Sequence, residues 1–505
     1  MSLSINFDKV RPSTHILIHI NKKEINMYYK LNHKIALRSW KYVPYAYYIE
    51  GQRDAKKLTK EQFDILKQCD GLTNLKDSPL LQELIENNFI IPVPKGESPH
   101  PWSLYRQSQN RYCPALYLVI TGKCNYNCLH CFMAADNAPK MSQLSYETCL
   151  DILDQCVQCG IQTIVLTGGE PFVHPHFMDI LKACQERHLT LQDINTNGSL
   201  ITKKILKQMK DLGLCPRMKI SFDGFDHHDW MRNVNGAEQK TLEAIQLCHE
   251  MGFPIEVQMN VHRGNLDTLL KTAIYFDEMG IEEMRIIRTT EAPRWVDNAH
   301  GMCLELEEYY QEMTNFAKNY IASKRNMVID IWQFLTIFPK QHHYRYRPIA
   351  LTDHQYRDNY PVCAGNRGMV TITSSGEVTP CAQMSGYYEK NGMSLGNIYT
   401  TSLESLLTDS PYLDAITCPI IKVKEHDSLC QKCPYWKLCA GGCRAIALAL
   451  THDELAHDPA KCLFFFHNWM DKIDDAMHSS SLEYTNIDSI DGKPVREAIK
   501  QCNEN

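Results

Sequence analysis

The segment Thr121–Ala135, TGKCNYNCLHCFMAA, restricts this chain more than any other stretch, because it sets Cys124, Cys128 and Cys131 in a C-x3-C-x2-C array directly behind an apolar run, Ala115–Thr121. A short apolar run bounded by glycine reads as a buried strand. Three thiolates on one loop form a tripod, and a [4Fe-4S] cluster, which ordinarily takes four thiolates, then keeps one iron free of protein. The rival use of such cysteines is a structural zinc site, which needs a fourth Cys or His at short spacing. His130 is the nearby candidate, and its place between two ligands makes it a poor closing ligand.

After the tripod, strand-like and helix-like patterns alternate. Thr163–Gly169, Leu189–Gly198, Arg217–Gly224, Ile255–His262 and Glu282–Thr290 read as strands. Between them, Cys149, Ile152, Leu153, Cys156 and Val157, and later Leu266, Leu269, Leu270 and Ala273, recur at helical spacing and form one apolar face each. With Ala115–Thr121 in front, this gives six strand–helix units, an α/β partial (β/α)6 TIM barrel with ligand loops at the carboxyl ends of the strands. Polar and glycine-rich signals fall at those ends: Gly168, Gly169 and Glu170 in LTGGEP, Asn195–Gly198 in NTNG, and Ser221–Gly224 in SFDG, followed by Arg232.

Tripod, GGE, NTNG and SFDG in this order resemble the radical S-adenosylmethionine (SAM) enzymes. The resemblance implies that SAM chelates the open iron. It also implies that Gly168, Gly169 and Glu170 hold the SAM amino group, that Asn197 faces the ribose, and that Ser221, Asp223 and Arg232 contact the ribose and the methionyl carboxylate. The expected chemistry is reductive cleavage of SAM to a 5′-deoxyadenosyl radical, which abstracts a substrate hydrogen, so that the cofactor does the work and no side chain need act as nucleophile.

A second cysteine constellation occupies the last third: Cys363, then Cys381 in G-x4-C spacing after Gly376, then Cys430-x2-Cys433-x5-Cys439-x3-Cys443, then Cys462. This order resembles the SPASM extension of radical SAM enzymes. It implies a distal auxiliary [4Fe-4S] cluster on Cys430, Cys433, Cys439 and Cys462, and a nearer one on Cys363, Cys381 and Cys443. For the nearer cluster the fourth ligand is open between Cys113, Cys418 and a substrate thiolate. A single zinc site on C-x2-C-x5-C-x3-C is the rival, and it leaves the G-x4-C and Cys462 unused.

At 505 residues and 44% apolar content the chain is expected to hold several domains. The boundaries read as 1–98, a linker at 99–114, the barrel at 115–325, a bridging region at 326–362, SPASM at 363–465, and a closing helix and tail at 466–505. A net charge of −6 gives no basic field for nucleic acid, and no apolar run suits a membrane. Twenty-one cysteines without an export signal suit a reducing cytoplasmic, anaerobic setting. Cys156-x2-Cys159 lies on a predicted helix and reads as core packing. HHYRYR at His342–Arg347 reads as a bridging segment with buried tyrosine bodies.

Residues 24–96 carry aromatic extended runs, a capping box at Thr59 and Gln62, and a Ser78-Pro79 helix start. This winged-helix-like pattern resembles the PqqD-like recognition domain of ribosomal peptide maturation systems. It implies leader binding by strand addition at a sheet edge, with Tyr45, Tyr47, Tyr48 and Ile49 as peptide contacts. Pro92–Asn110 reads as a semi-rigid connector. Sulfatase-maturing relatives carry an Asp directly after the cysteine equivalent to Cys381; here Ala382 stands there. The expected activity is a radical SAM/SPASM crosslinking of a precursor peptide, through a thioether or carbon–carbon bond, with a flavodoxin or ferredoxin as electron donor; the alternatives are radical modification of a folded protein or a small molecule, or a catalytically silent iron–sulfur peptide-binding or electron-transfer protein.

Overall fold

The computed structural model describes residues 27–52, 54–131, 142–289, 293–350, 358–363 and 368–478, together with three two-residue strands between Thr485 and Pro494. The first 26 residues, the end of the tripod segment from Phe132 on, and most of the tail lie outside the described residues. The chain divides into two compact units, Met1–Tyr112 and Cys113–Asn505.

In the first unit, β1 (Tyr28–Leu31), β5 (Asp70–Asn74) and β6 (Ile90–Val93) form one sheet with β1 in the middle. β2 (Ile35–Trp40), β3 (Val43–Ile49), β4 (Lys56–Lys57) and β7 (Arg106–Ser108) form another in the order β4-β3-β2-β7. Helix α1 (Lys60–Lys67) starts where Thr59 and Gln62 close their reciprocal capping box, and α2 (Pro79–Glu86) starts on the Ser78 hydroxyl. Phe63, Leu66, Leu81 and Leu84 from these helices enter a core with Tyr29, Leu37 and Tyr47, each such burial contributing about 1.5–3 kcal/mol.

This arrangement corrects two expectations. β3 is not an edge: β2 pairs with it along its length and β4 covers its other side at Ala46 and Tyr47. Tyr47, Tyr48 and Ile49 are buried in the cores on the two faces of the sheet, and Tyr45 packs on Phe63 with ring centroids 5.5 Å apart. These four side chains therefore hold the unit together and face no docking edge. The presumed connector is also part of the unit. β7 runs parallel to β2, and the buried Arg38 guanidinium donates to the carbonyls of Leu37, Leu104 and Trp102, which draws residues 102–108 into the fold.

The second unit is built on one continuous sheet, twelve strands among the described residues. Its centre is six parallel strands in sequence order: β8 (Ala115–Thr121), β9 (Thr163–Gly168), β10 (Thr190–Thr196), β11 (Arg217–Ser221), β12 (Ile255–Val261) and β13 (Glu283–Arg288). Between them run α3 (Tyr146–Cys159), α4 (Phe177–Glu186), α5 (Lys203–Asp211), α6 (His228–Arg232), α7 (Ala237–Glu250) and α8 (Leu266–Met279). Leu118, Leu166, Ile194, Ile220, Val257 and Ile286 share one core with the helices, and Cys149, Cys156, Cys159, Cys184 and Cys248 fill it as small apolar groups.

A row of charges lies across the strands toward their amino-terminal ends. The fully buried Glu256 carboxylate lies 3.2 Å from Arg217, 3.5 Å from Lys219 and 3.4 Å from Arg285. Asp193 pairs with Arg217 at 2.9 Å and Asp330 with Arg285 at 2.9 Å. Parallel register makes these residues neighbours, Asp193 beside Arg217, Lys219 beside Glu256 and Arg285 beside Asp330.

The sheet continues beyond the six strands on both sides. After helix α10 (Leu306–Ala322), β14 (Val328–Ile331), β15 (Leu335–Phe338) and β16 (His343–Tyr346) extend it past β13, so the expected bridging region is sheet. On β16, Tyr344 and Tyr346 are buried and both hydroxyls donate to Asp474 on the closing helix Trp469–His478. At the other side β17 (Met369–Ile372) pairs parallel with β8, and β18 (Val378–Thr379) follows it.

Candidate active site

The tripod loop leaves the carboxyl end of β8 and is fastened by every neighbouring strand exit. Gly168 and Gly169, at the end of β9, permit the first contact. A Cβ on Gly168 would stand 2.6 Å from the Thr121 carbonyl oxygen, and one on Gly169 only 2.4 Å from that of Lys123. Backbone lies directly on backbone there, with Gly169 N–H donating to Thr121 O at 2.8 Å and Glu170 N–H to Lys123 O at 2.9 Å. The glycines thus bring the second strand exit against the root of the tripod, a job only a residue without Cβ can do.

Glu170 is fully buried and its carboxylate is already engaged. It accepts from the Thr196 hydroxyl at 2.8 Å, the Asn197 N–H at 2.8 Å and the Phe172 N–H at 3.2 Å. Burial pushes its pKa up to about 7 despite these donors. Asn197 in turn donates from Nδ2 to Asn125 Oδ1 at 2.9 Å, inside the tripod loop. Sequence reading passed over Asn125, although a polar residue next to a presumed ligand was the available signal.

The fourth strand exit supplies charge. Asp223 is fully buried, lies 2.7 Å from Arg232 Nε in an ion pair, and accepts on Oδ1 from Arg232 Nη2 at 3.1 Å and from the Asn260 N–H at 3.1 Å. The Arg232 guanidinium holds the Asp223 carboxyl far below the carboxylate range, and the pair raises Arg232 in turn. Arg232 also directs Nη1 at the Cys128 sulfur, 3.8 Å away. Behind the pair, Asp223 N–H donates to His228 Nδ1 at 3.0 Å, His228 Nε2 meets the Thr241 hydroxyl at 3.2 Å, and that hydroxyl donates to the Asn197 carbonyl. One buried chain therefore links the third exit to the fourth and, through Arg232, to a tripod thiol. Ser221 ends β11, half-buried. Gly224 follows at φ +95°, with Thr268 Oγ1 standing 2.5 Å from where its Cβ would be.

Cys124, Cys128 and Cys131 pack together against Tyr126, Val234 and Ala237. Burial pushes the Cys124 thiol up to about 12, with Cys128 and Cys131 adding to the rise. Thiols held this way ionise when a metal takes the thiolate. Three soft donors gathered in one apolar cluster, with a cation at one sulfur, fit a thiolate-held iron–sulfur cluster, and the close backbone cradle beside them fits a ligand laid along the strand exits.

The later cysteines fall into two groups. Cys381 is raised to about 12 by burial and then by Cys443 and Cys363. Cys439, Cys430 and Cys433 act together on Cys462. Cys113 lies beside Cys156, whereas Cys418 packs on the same small core as Cys363, its carbonyl accepting the Val362 N–H at 2.9 Å. Two acids shape these loops: Asp458 accepts from the Cys443 N–H at 2.8 Å, and Asp427 from the Cys430 N–H at 3.0 Å.

Comparison with known proteins agrees with this geometry. Residues 118–274 match the radical SAM superfamily and residues 363–434 the SPASM iron-sulfur cluster-binding domain. The chain is 26% identical over 345 residues to the AdoMet-dependent heme synthase of Methanosarcina barkeri, spanning 67% of this chain and 93% of that protein. It is 23% identical over 402 residues to the antilisterial bacteriocin subtilosin biosynthesis protein AlbA of Bacillus subtilis, spanning 78% and 81%. Its fold is similar to that of Streptococcus suis SuiB bound to the precursor peptide SuiA, with a TM-score of 0.59 at 15% identity, covering 86% of this chain and 99% of that one. The chain carries a radical SAM domain and a SPASM domain, which imply [4Fe-4S] clusters and SAM as cofactors, and it is similar both to heme synthases and to peptide-modifying enzymes.

Proposed function

We propose that this enzyme installs a crosslink, a thioether or a carbon–carbon bond, in a ribosomally made precursor peptide. The observation that carries the reading is the convergence of Cys124, Cys128 and Cys131 in one pocket at the carboxyl end of β8, held by Arg232 and the GGE backbone. With a cluster and SAM bound there, the site supplies a 5′-deoxyadenosyl radical for hydrogen abstraction. The chain's own residues orient and shield. Gly168 and Gly169 would offer backbone to the amino group of SAM, Asn197 and Ser221 would contact its ribose, and Arg232, paired with Asp223 and directed at the Cys128 sulfur, would take its methionyl end. Cys363, Cys381 and Cys443 would hold a nearer auxiliary cluster and Cys430, Cys433, Cys439 and Cys462 a distal one, which would supply a sink for the electron that bond formation releases.

AlbA and SuiB support a peptide as substrate, the latter described as bound to a precursor peptide. In the first unit the short strands β4, β5, β6 and β7 stand at sheet edges and offer main-chain groups to an extended leader. A flavodoxin or ferredoxin delivers the electron, in a reducing cytoplasm; no described helix is long and apolar enough to cross a membrane. The test uses anaerobically reconstituted enzyme with dithionite, SAM and a short peptide encoded beside its gene. Formation of 5′-deoxyadenosine and a peptide lighter by two hydrogen atoms is expected. 5′-Deoxyadenosine formed with a tetrapyrrole converted and the peptide unchanged sinks the peptide reading in favour of chemistry like that named for the heme synthases.

A further inference from the structure

The nearer SPASM group shows three cysteines, Cys363, Cys381 and Cys443, and we propose that Cys418, held by backbone pairing beside the Cys363 segment, is its fourth thiolate. Pro361 and Pro419 form an antiparallel bridge. Flanking it, the Val362 N–H donates to the Cys418 carbonyl at 2.9 Å and the Ile420 N–H to the Tyr360 carbonyl at 2.8 Å. Cys363 follows Val362 directly, so its Cα and that of Cys418 lie within about 9 Å, a span that one cluster bridges. Cys363 and Cys418 also pack on one small core built on Val362, Ile420 and Trp436. The Cys418 thiol meets the Pro419 carbonyl at 3.9 Å, a weak contact that iron readily displaces.

The supply of thiols agrees. Each [4Fe-4S] cluster closed by protein takes four thiolates. The described chain from Cys363 to Cys462 holds eight cysteines, the seven of the two groups and Cys418, which is enough to close both clusters. Other cysteines are committed elsewhere. Cys113 is buried in the main core beside Cys156 on α3, and its neighbour Pro114 accepts the Gln162 and Thr163 N–H groups at 3.0 Å each, which pins it there. Cys303 packs on the cluster around Trp295 in α9 (Pro293–Asn298), with Leu129 of the tripod segment.

A second observation asks for negative charge at the same place. Arg444, directly after Cys443, is 5% exposed and lies beside Cys418, Cys430 and Cys439. Its terminal nitrogens donate to the carbonyls of Glu454 and Ala456 at 2.7 Å each and to that of Gly441. Its Nε–H is buried with no partner. Native folds retain few such donors, and the sulfurs of a thiolate-held cluster accept hydrogen bonds and carry the charge that a buried guanidinium lacks here. Ligation itself moves no electron: the Cys418 thiol gives up its proton as iron takes the sulfur. A nearer cluster closed in this way relays electrons and leaves no iron for a substrate thiolate. The assignment rests on the cluster that the SPASM match implies and is independent of the peptide reading.

The test uses the full chain with Cys124, Cys128 and Cys131 replaced by alanine and reconstituted anaerobically, so that the auxiliary clusters are seen alone. About eight irons per chain are expected. Cyanide and N-acetylcysteine amide, which bind an iron left open by protein, are expected to leave the electron paramagnetic resonance spectrum of the reduced clusters unchanged. Added to the same background, Cys418→Ala is expected to let both probes shift the signal of one cluster, and Cys113→Ala is expected to let neither do so. A shift without the Cys418 substitution overturns the assignment, as does a Cys418→Ala spectrum that stays insensitive at full iron content, or a background that binds only about four irons. Should Cys418→Ala shed the cluster, Cys113→Ala decides: a cluster still closed there supports Cys418, and an open one overturns it. Excess SAM, which takes the open tripod iron, allows the same cyanide measurement with the tripod intact, and a shift of an auxiliary signal there overturns the assignment too.

Discussion

Replacing Asp223 with Asn isolates the charge that steadies the tripod. The carboxylate is fully buried and lies 2.7 Å from Arg232 Nε, whose side chain is 7% exposed. At an effective dielectric of about 20, unit charges at that separation attract by about 6 kcal/mol. Part of this only offsets desolvation, and removing one partner of such a pair costs about 3–5 kcal/mol because the other charge stays buried alone. Asp223→Asn is therefore expected to lose about 3–5 kcal/mol in anaerobic urea unfolding followed by circular dichroism. Asp223→Asn/Arg232→Met removes both charges and is expected to lose less than Asp223→Asn alone. The reasoning is refuted if Asp223→Asn costs under about 1 kcal/mol, or if the double variant costs the sum of the two single ones.

Three further outcomes follow from the same geometry. Gly169→Ala drives a Cβ into the Lys123 carbonyl and is expected to cost about 1–3 kcal/mol, read as a lower melting temperature with iron lost from the tripod. Thr241→Val cuts the link between His228 and the Asn197 carbonyl; a loss of about 1–3 kcal/mol and a weaker SAM affinity by equilibrium dialysis, at unchanged iron content, are expected. Asp427→Ala removes the cap on the Cys430 turn, for about 1 kcal/mol. The Asp427 carboxyl, with His457 beside it, is held at about 2, below its ordinary 3.8. Its contribution is thus full above about pH 4 and fades as pH falls toward 2, so the stability gap between variant and parent in acid titration narrows over that window.

The six central strands were legible because buried parallel strands read as short apolar runs, and the glycine-bounded exits marked their ends. The contacts that hold the tripod were not. Asn125 and Asn197 are 72 positions apart, Arg232 and Cys128 104, and nothing local in either partner announces the other. The GGE glycines were read as making room for a ligand, and their Cβ clashes show that they also make room for backbone. β3 was taken for an edge because its cover, Lys56–Lys57, is too short to leave a pattern. The proline-rich stretch read as a connector because the force that folds it in, a buried guanidinium at Arg38, comes from a different strand.

The pairing of β17 with β8 joins the two iron-bearing halves into one mechanical body. The tripod segment follows the end of β8, and Cys363 and Cys381 bracket β17 in sequence, so the two cysteine groups belong to segments joined by a paired strand. Tilting the auxiliary half away requires rupturing main-chain bonds, which makes the wiring between redox centres as stiff as the sheet itself.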